Sequence, residues 1–199
     1  MADYNTISAI SEGWYKDKGS KFTAFAHPIK TEEEAKLVLD KYKTEHPTAK
    51  HHCYAYRLGS KGEKFRAYDD GEPGGTAGKP ILNQLLSNEL TNTIVVVVRY
   101  SGGTKLGVSG LINAYKQATL DAVKESKIIE KYICNYFEVN FSYEQMPSVM
   151  KWTKQHPISV LSQDFNLNCK LEIEIKAEET DKAIKACPRL IEPKLLYTI

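Results

Sequence analysis

The sequence predicts an α+β fold in two units, residues 1–130 and 131–199, and three observations carry that expectation. Segments of strand-like and helix-like periodicity alternate along the whole chain. Two glycine-rich loops in the first unit each follow a strand-like stretch and run into a helical one. Near Glu130 the pattern of strands restarts with no flexible linker to mark it. With 199 residues, 42% of them hydrophobic and 26% charged, the composition is that of an ordinary globular chain able to bury a core.

The N-terminal stretch MADYNTISAISEGWYKDKGS has no basic segment followed by an apolar run, so no signal peptide is expected. No window approaches the roughly 18 apolar residues of a membrane span, which gives a cytoplasmic location and no membrane partner as the expectation. The first strand is predicted at KFTAFAHPI, where Phe22, Ala24 and Ala26 alternate with a second face that carries Phe25. Thr31 as N-cap with Glu34 three residues later predicts a capping box, and Ala35, Val38, Leu39 and Tyr42 form the apolar stripe of a helix stopped at His46-Pro47.

HHCYAYRL and Lys64 to Tyr68 read as a hairpin around Ser60-Lys61-Gly62-Glu63, and it delivers the chain into DDGEPGGTAGK. A helix then starts between Thr76 and Pro80, where proline is tolerated, with Ile81, Leu82, Leu85 and Leu86 on one side. Ile94 and the valines that follow predict a strand covered on both faces. RYSGGTKLGVSG leads from it into a helix with Leu111, Tyr115, Ala118 and Ala122 at core spacing, broadened by Ile112 and Val123.

In the second unit Phe137, Val139, Phe141 and Tyr143 alternate with polar residues, and a helix over Glu144 to Gln155 follows. Strands at Ile158 to Phe165 and Cys169 to Lys176 flank the turn Asn166-Leu167-Asn168; a short helix over Glu178 to Cys187 and a strand at Lys194 to Thr198 complete the unit. That βαββαβ order is the ferredoxin-like arrangement.

The two loops carry the candidate chemistry. Glycine-rich turns before helix starts expose backbone N–H groups beside the positive end of the helix dipole, which suits phosphate. The candidate phosphate- or nucleic-acid-binding residues are Gly74, Gly75, Thr76, Gly78 and Lys79 from the first loop, and Arg99, Tyr100, Gly102, Gly103, Lys105 and Gly107 from the second. Arg99 and Lys105 supply charge, and Tyr100 a stacking surface. His51, His52, Asp69, Asp70 and Glu72 are assigned to shaping the site.

A Walker A reading of Gly78-Lys79 fails, because Pro73 stands where that motif needs glycine and Pro80 where it needs a hydroxyl. Asp69, Asp70 and Glu72 have the chemistry of a hard-cation site, but three acids before a proline turn serve equally as turn formers, helix N-terminal charges and partners for Arg99 or Arg57. The second reading is favoured, and neither a metal nor a cofactor is expected. His51, His52 and Cys53 are consecutive in a strand, so they cannot all face one site, and no third member of a nucleophile pair is evident. The four cysteines are scattered singly, which argues against zinc and disulfides. Of Tyr54, Tyr56, Tyr68, Tyr100 and Tyr115, strand and helix spacing assigns most to packing. A net charge of +2 leaves anion binding to local clusters.

The blocks HHCYAYR, DDGEPGGTAGKPIL and VVVVRYSGGTKLGVSGLINAY, taken together, resemble the IMPACT family in its bacterial, YigZ-like branch. One departure is Ser101, which stands where the pattern has a second aromatic after Tyr100. The resemblance implies a first domain similar to the second domain of ribosomal protein five of the small subunit, a sheet with helices on one side. It also implies a second domain similar to the last domain of elongation factor G. Both relatives act on the ribosome, and eukaryotic members of the family regulate translation under stress, by a mechanism not carried over here. The expected function is that of a non-enzymatic regulator binding RNA, the ribosome or a phosphate-bearing ligand. An enzyme or sensor acting on a small phosphorylated molecule, and a module that docks a protein partner, are the alternatives.

Overall fold

A computed structural model describes residues 3–166 and 168–198; Leu167, in the turn expected at Asn166-Leu167-Asn168, lies outside the described residues, as do Met1 and Ala2 of the N-terminal stretch. The chain divides into two compact units, Met1–Lys131 and Tyr132–Ile199.

The first unit runs β1 (Tyr4–Ile7), β2 (Ser11–Asp17), β3 (Ser20–Pro28), α1 (Glu32–Glu45), β4 (His51–Leu58), β5 (Lys64–Tyr68), α2 (Gly78–Ser87), β6 (Thr93–Tyr100), α3 (Gly107–Glu125) and β7 (Ile128–Lys131). Its main sheet has the order β2-β3-β6-β4-β5 with every neighbouring pair antiparallel, and β1 pairs with β7 as a separate ribbon. The central strand β6 shows why the valine run reads as doubly covered. Val95 and Val97 join a core with Ile81 and Leu85 of α2 and Leu111, Tyr115, Ala118 and Ala122 of α3. Ile94, Val96 and Val98 face a second core with Ala35 and Tyr42 of α1. Helices therefore cover both faces of this sheet. The one-sided cover implied by the family resemblance is corrected, because Phe25, Tyr54 and Tyr56 make the other face as apolar as the first.

Local details differ from the periodicity in physically simple ways. Thr31 caps α1 through a bond from the Glu34 N–H (3.2 Å), but the Glu34 carboxylate accepts from the Lys30 N–H (2.6 Å), one residue before the N-cap. Ile112 and Leu86 project outward, so the core stripes of α3 and α2 are narrower than expected. Strand β2 escapes the hydrophobic pattern because small residues face the core. A Cβ on Gly13 would lie 2.1 Å from the Ala122 amide nitrogen of α3, so only glycine lets the helix pass this close.

The second unit runs β8 (Cys134–Phe141), a 3₁₀ turn (Tyr143–Gln145), α4 (Met146–Gln155), β9 (Ile158–Phe165), β10 (Cys169–Lys176), α5 (Ala177–Lys185) and β11 (Lys194–Thr198). The sheet order is β11-β8-β10-β9, antiparallel throughout, which is the ferredoxin-like βαββαβ arrangement. Phe137, Val139, Leu171, Ile173 and Ile175 pack beneath Val149, Trp152 and Ala183 of the two helices, while Lys170, Glu172, Glu174 and Lys176 take the alternate positions of β10.

Candidate functional site around the two glycine loops

The first loop begins where β5 ends and closes on itself. The Asp69 carboxylate accepts hydrogen bonds from the backbone N–H groups of Gly75 (2.8 Å), Ala77 (3.0 Å) and Gly78 (2.8 Å). Two of these come from the start of α2, where N–H groups lack partners within the helix. Burial alone would raise the Asp69 pKa, but the three backbone donors outweigh it and hold the carboxyl below its ordinary range. Thr76 is buried and its hydroxyl donates to the Pro73 carbonyl (2.6 Å). Gly78 is a close-approach position: a Cβ there would lie 2.4 Å from the Tyr68 amide nitrogen of β5. Gly74 and Lys79 remain exposed.

Beneath this loop lies a buried polar chain. Glu72 is 9% exposed and Arg99 8%, and Arg99 Nη1 donates to Glu72 Oε1 at 2.6 Å. The Tyr115 hydroxyl donates to the same oxygen (2.7 Å). Cys53 Sγ stands 3.3 Å from that hydroxyl and 3.0 Å from the Asp69 carbonyl, which accepts its proton. The Arg99 guanidinium also sits 5.4 Å from the centre of the Phe22 ring, while its Nε–H meets no acceptor among the described residues. Burial pushes both the Cys53 thiol and the Tyr115 hydroxyl well above their ordinary pKa, so neither is an activated nucleophile.

The histidines split as strand alternation requires. His51 pairs in register with Arg99, and its Nδ1–H donates to the Asp70 carbonyl (2.8 Å). His52 lies on the α1 face, where its Nε2–H donates to the His46 carbonyl (3.2 Å), and its own backbone N–H donates to the Asp70 carboxylate (2.7 Å). Burial lowers the His52 pKa. Tyr100 turns to the same face and its hydroxyl bonds His46 Nδ1 (2.9 Å).

The second loop is built differently. Gly102 is wedged against the turn between β2 and β3: its N–H donates to Ser20 Oγ (3.1 Å), and a Cβ there would lie 2.0 Å from the Gly19 carbonyl carbon. Beyond it Gly103, Thr104 and Lys105 are exposed, and among the described residues their N–H groups meet no acceptor. Gly103 and Gly107 face open space with φ of +82° and +77°. The N-cap of α3, Leu106, makes no side-chain cap.

The expected site residues thus fall into three groups. Arg99, expected both as a phosphate ligand and as a partner for the acids, is paired internally with Glu72, and Arg57 donates to the Leu90 carbonyl (2.7 Å). The backbone donors of Gly75 and Gly78 and the hydroxyl of Thr76 are spent within the loop, and Gly102 is a packing residue. Gly103, Lys105 and Gly107 stay open to solvent. Glu72 links the first loop to β6, whereas the second loop leans on Gly19 and Ser20. Among the described residues no cluster of three metal-ligating side chains occurs, and no disulfide joins the four cysteines.

The model of the Impact N-terminal domain matches residues 18–123, a span that holds both loops and the buried Arg99 chain. The chain belongs to the IMPACT family. It is 36% identical over 191 residues to an IMPACT family member of Haemophilus influenzae, covering 94% of this chain and 91% of the relative. It is 30% identical to IMPACT family member YvyE of Bacillus subtilis, over 91% of this chain and 83% of that protein. Against IMPACT family member YigZ of Escherichia coli the identity is 31%, over 80% and 79%. A solved crystal structure described as a hypothetical protein matches with TM-score 0.73 and 26% identity over 99% of this chain and 98% of its own. The first two alignments cover 94% and 91% of this chain and so extend into the second unit. No helix among the described residues is long and apolar enough to cross a membrane.

Proposed function

We propose that this IMPACT protein is a non-enzymatic regulator of translation that acts in the cytoplasm and binds RNA, free or within the ribosome, by its phosphates. In this reading residues 1–130 carry the binding surface. The observation that supports it is the contrast between the loops: the first has the Asp69 carboxylate as its anion, while the second offers unoccupied N–H groups at Gly103, Thr104 and Lys105 beside an uncapped helix start. Lys105 adds a mobile cation at the same place. The ribosome-associated domains to which the family resemblance points support the same setting. The acids that the catalytic alternative would use, Asp69, Asp70 and Glu72, each accept hydrogen bonds from within the domain, which favours a shaping role for them.

Lys105→Gln tests the proposal. Affinity for fluorescently labelled oligouridylate, measured by anisotropy over a salt series, is expected to fall for the variant. Its dependence of log K on log salt is expected to flatten by about 0.7, the value for one phosphate contact on a single strand. Equal affinity and equal slope for the two proteins would overturn it.

A further inference from the structure

We propose that the open corner of the sheet at β2 and β3, bearing Trp14, Lys16 and Lys21, is a stacking platform for single-stranded RNA. This deepens the preceding proposal and rests on it, by naming where the bases go once the second loop holds the backbone.

The register builds the platform. Trp14 stands opposite Thr23, Lys16 opposite Lys21, and Lys21 opposite Tyr100. Alternation puts all of these on the α1 face, while Gly13, Tyr15 and Phe22 point to the α3 side. Helix α1 packs further along, over Phe25, Tyr54 and Val96, and its last turn reaches Tyr100 through His46. Trp14 is left 58% exposed, an unusual position for the largest apolar side chain. The Lys16 ammonium lies 5.6 Å from its ring centre. Trp14, Lys16, Lys21 and Glu12 line a shallow depression of about 140 Å³.

The strand that presents the ring is fixed from behind. The Trp14 backbone N–H donates to the Asp121 carboxylate of α3 (2.9 Å), and the Ser11 hydroxyl donates to the Ala122 carbonyl (2.8 Å). An aromatic face with ammonium groups around it matches an unstacked base with its flanking phosphates. Two lysines against one glutamate favour that polyanion over a basic or apolar protein surface, and the exposed ring between them favours a partner with bases to stack. The platform also adjoins the second loop, because Gly19, in the turn that joins β2 to β3, is the residue against which Gly102 packs.

The test uses the full chain and a short labelled oligouridylate, with an oligodeoxyuridylate and an RNA duplex of equal length as comparison arms. Trp14→Ala is expected to weaken single-strand binding about 5- to 150-fold, with Trp14→Phe close to wild type, since stacking of one base is lost in the first and kept in the second. Tryptophan emission of the wild type should be quenched on titration, and that quenching should vanish in Trp14→Phe, leaving only the buried Trp152. Lys16→Gln and Lys21→Gln should each flatten the salt dependence, and the duplex should bind more weakly than the single strand. Wild-type affinity in a folded Trp14→Ala variant, or preference for the duplex, overturns the platform. If Lys105→Gln weakens binding in that case, the RNA-binding function stands without it; if the wild type binds no strand, both fall.

Discussion

Arg99 decides between two accounts of this protein, and its replacement separates them. Its side chain is 10% exposed and that of Glu72 4%, so their 2.6 Å contact is screened by almost no water. Removing one partner of a buried pair is destabilising by about 3–5 kcal/mol, because the remaining charge is stranded. In Glu72→Gln the amide oxygen still accepts from Tyr115, so the loss is confined to the ion pair and should be about 3 kcal/mol. Arg99→Met keeps the aliphatic stem over Phe22 and leaves Glu72 charged with Tyr115 as its remaining donor, for a loss of similar size. The double variant should be less destabilised than the sum by roughly 0.5–3 kcal/mol, the range for residues in direct contact. Urea midpoints measure this, alongside oligouridylate affinity under conditions where each variant is folded. The expected result is a lowered midpoint with unchanged affinity. An Arg99→Met protein with a wild-type midpoint and lost RNA binding would refute the structural assignment and restore Arg99 as a ligand.

Two further expectations concern the scaffold. Asp69→Ala removes the acceptor of three backbone bonds, one in the loop and two at the start of α2, and should be destabilising by about 2–4 kcal/mol, with Asp69→Asn in between; an unchanged thermal midpoint for Asp69→Ala would contradict the role of that carboxylate as the loop's anion. His27 is held neutral beneath α1: burial first, then Lys41, lowers its pKa to about 4 against the opposing pull of Glu45. The unfolded chain therefore takes up a proton below about 6.5 that the folded chain refuses, so this contribution is full above that pH and is lost as pH falls toward 4, by up to about 3 kcal/mol. A His27→Gln variant should show a flatter fall in urea midpoint between pH 7 and pH 4.5 than wild type, and identical slopes would count against the assignment.

Much of the fold is legible because its core is written in ordinary periodicity. The valines of β6 and the spacing of Leu111, Tyr115, Ala118 and Ala122 state their burial directly. β2 is illegible because Ser11 and Gly13 face the core where larger side chains are usual, and β1 with β7 because each is four residues long and their pairing spans most of the first unit. The loops are legible as glycine loops, but not as open or closed. That depends on which donors Asp69 reaches and on Arg99 turning inward, facts of three-dimensional placement. Trp14 and its lysines do stand in the sequence as WYKDKGSK; without the register of β2 on β3, nothing marks which of them share a face.

Charge order supplies the reason why two similar loops end differently. The first carries Asp69, Asp70 and Glu72 ahead of Gly74, Gly75 and Gly78, so a carboxylate is within reach as the α2 donors form, and the chain closes the loop with its own anion. In the second, from Arg99 to Gly110, the charged residues are Arg99 and Lys105, with no acid among them. Arg99 is then withdrawn by Glu72 of the first loop, which neutralises one cation and leaves Lys105 beside bare N–H groups. The acids of the first loop therefore serve twice: Asp69 accepts from the donors of its own loop, and Glu72 engages Arg99, which leaves Lys105 as the exposed cation of the second loop. What remains exposed is a small donor surface with a single cation; under the proposed function a polyanion that also offers bases to the neighbouring aromatic face would gain more from it than a lone phosphate held by charge alone.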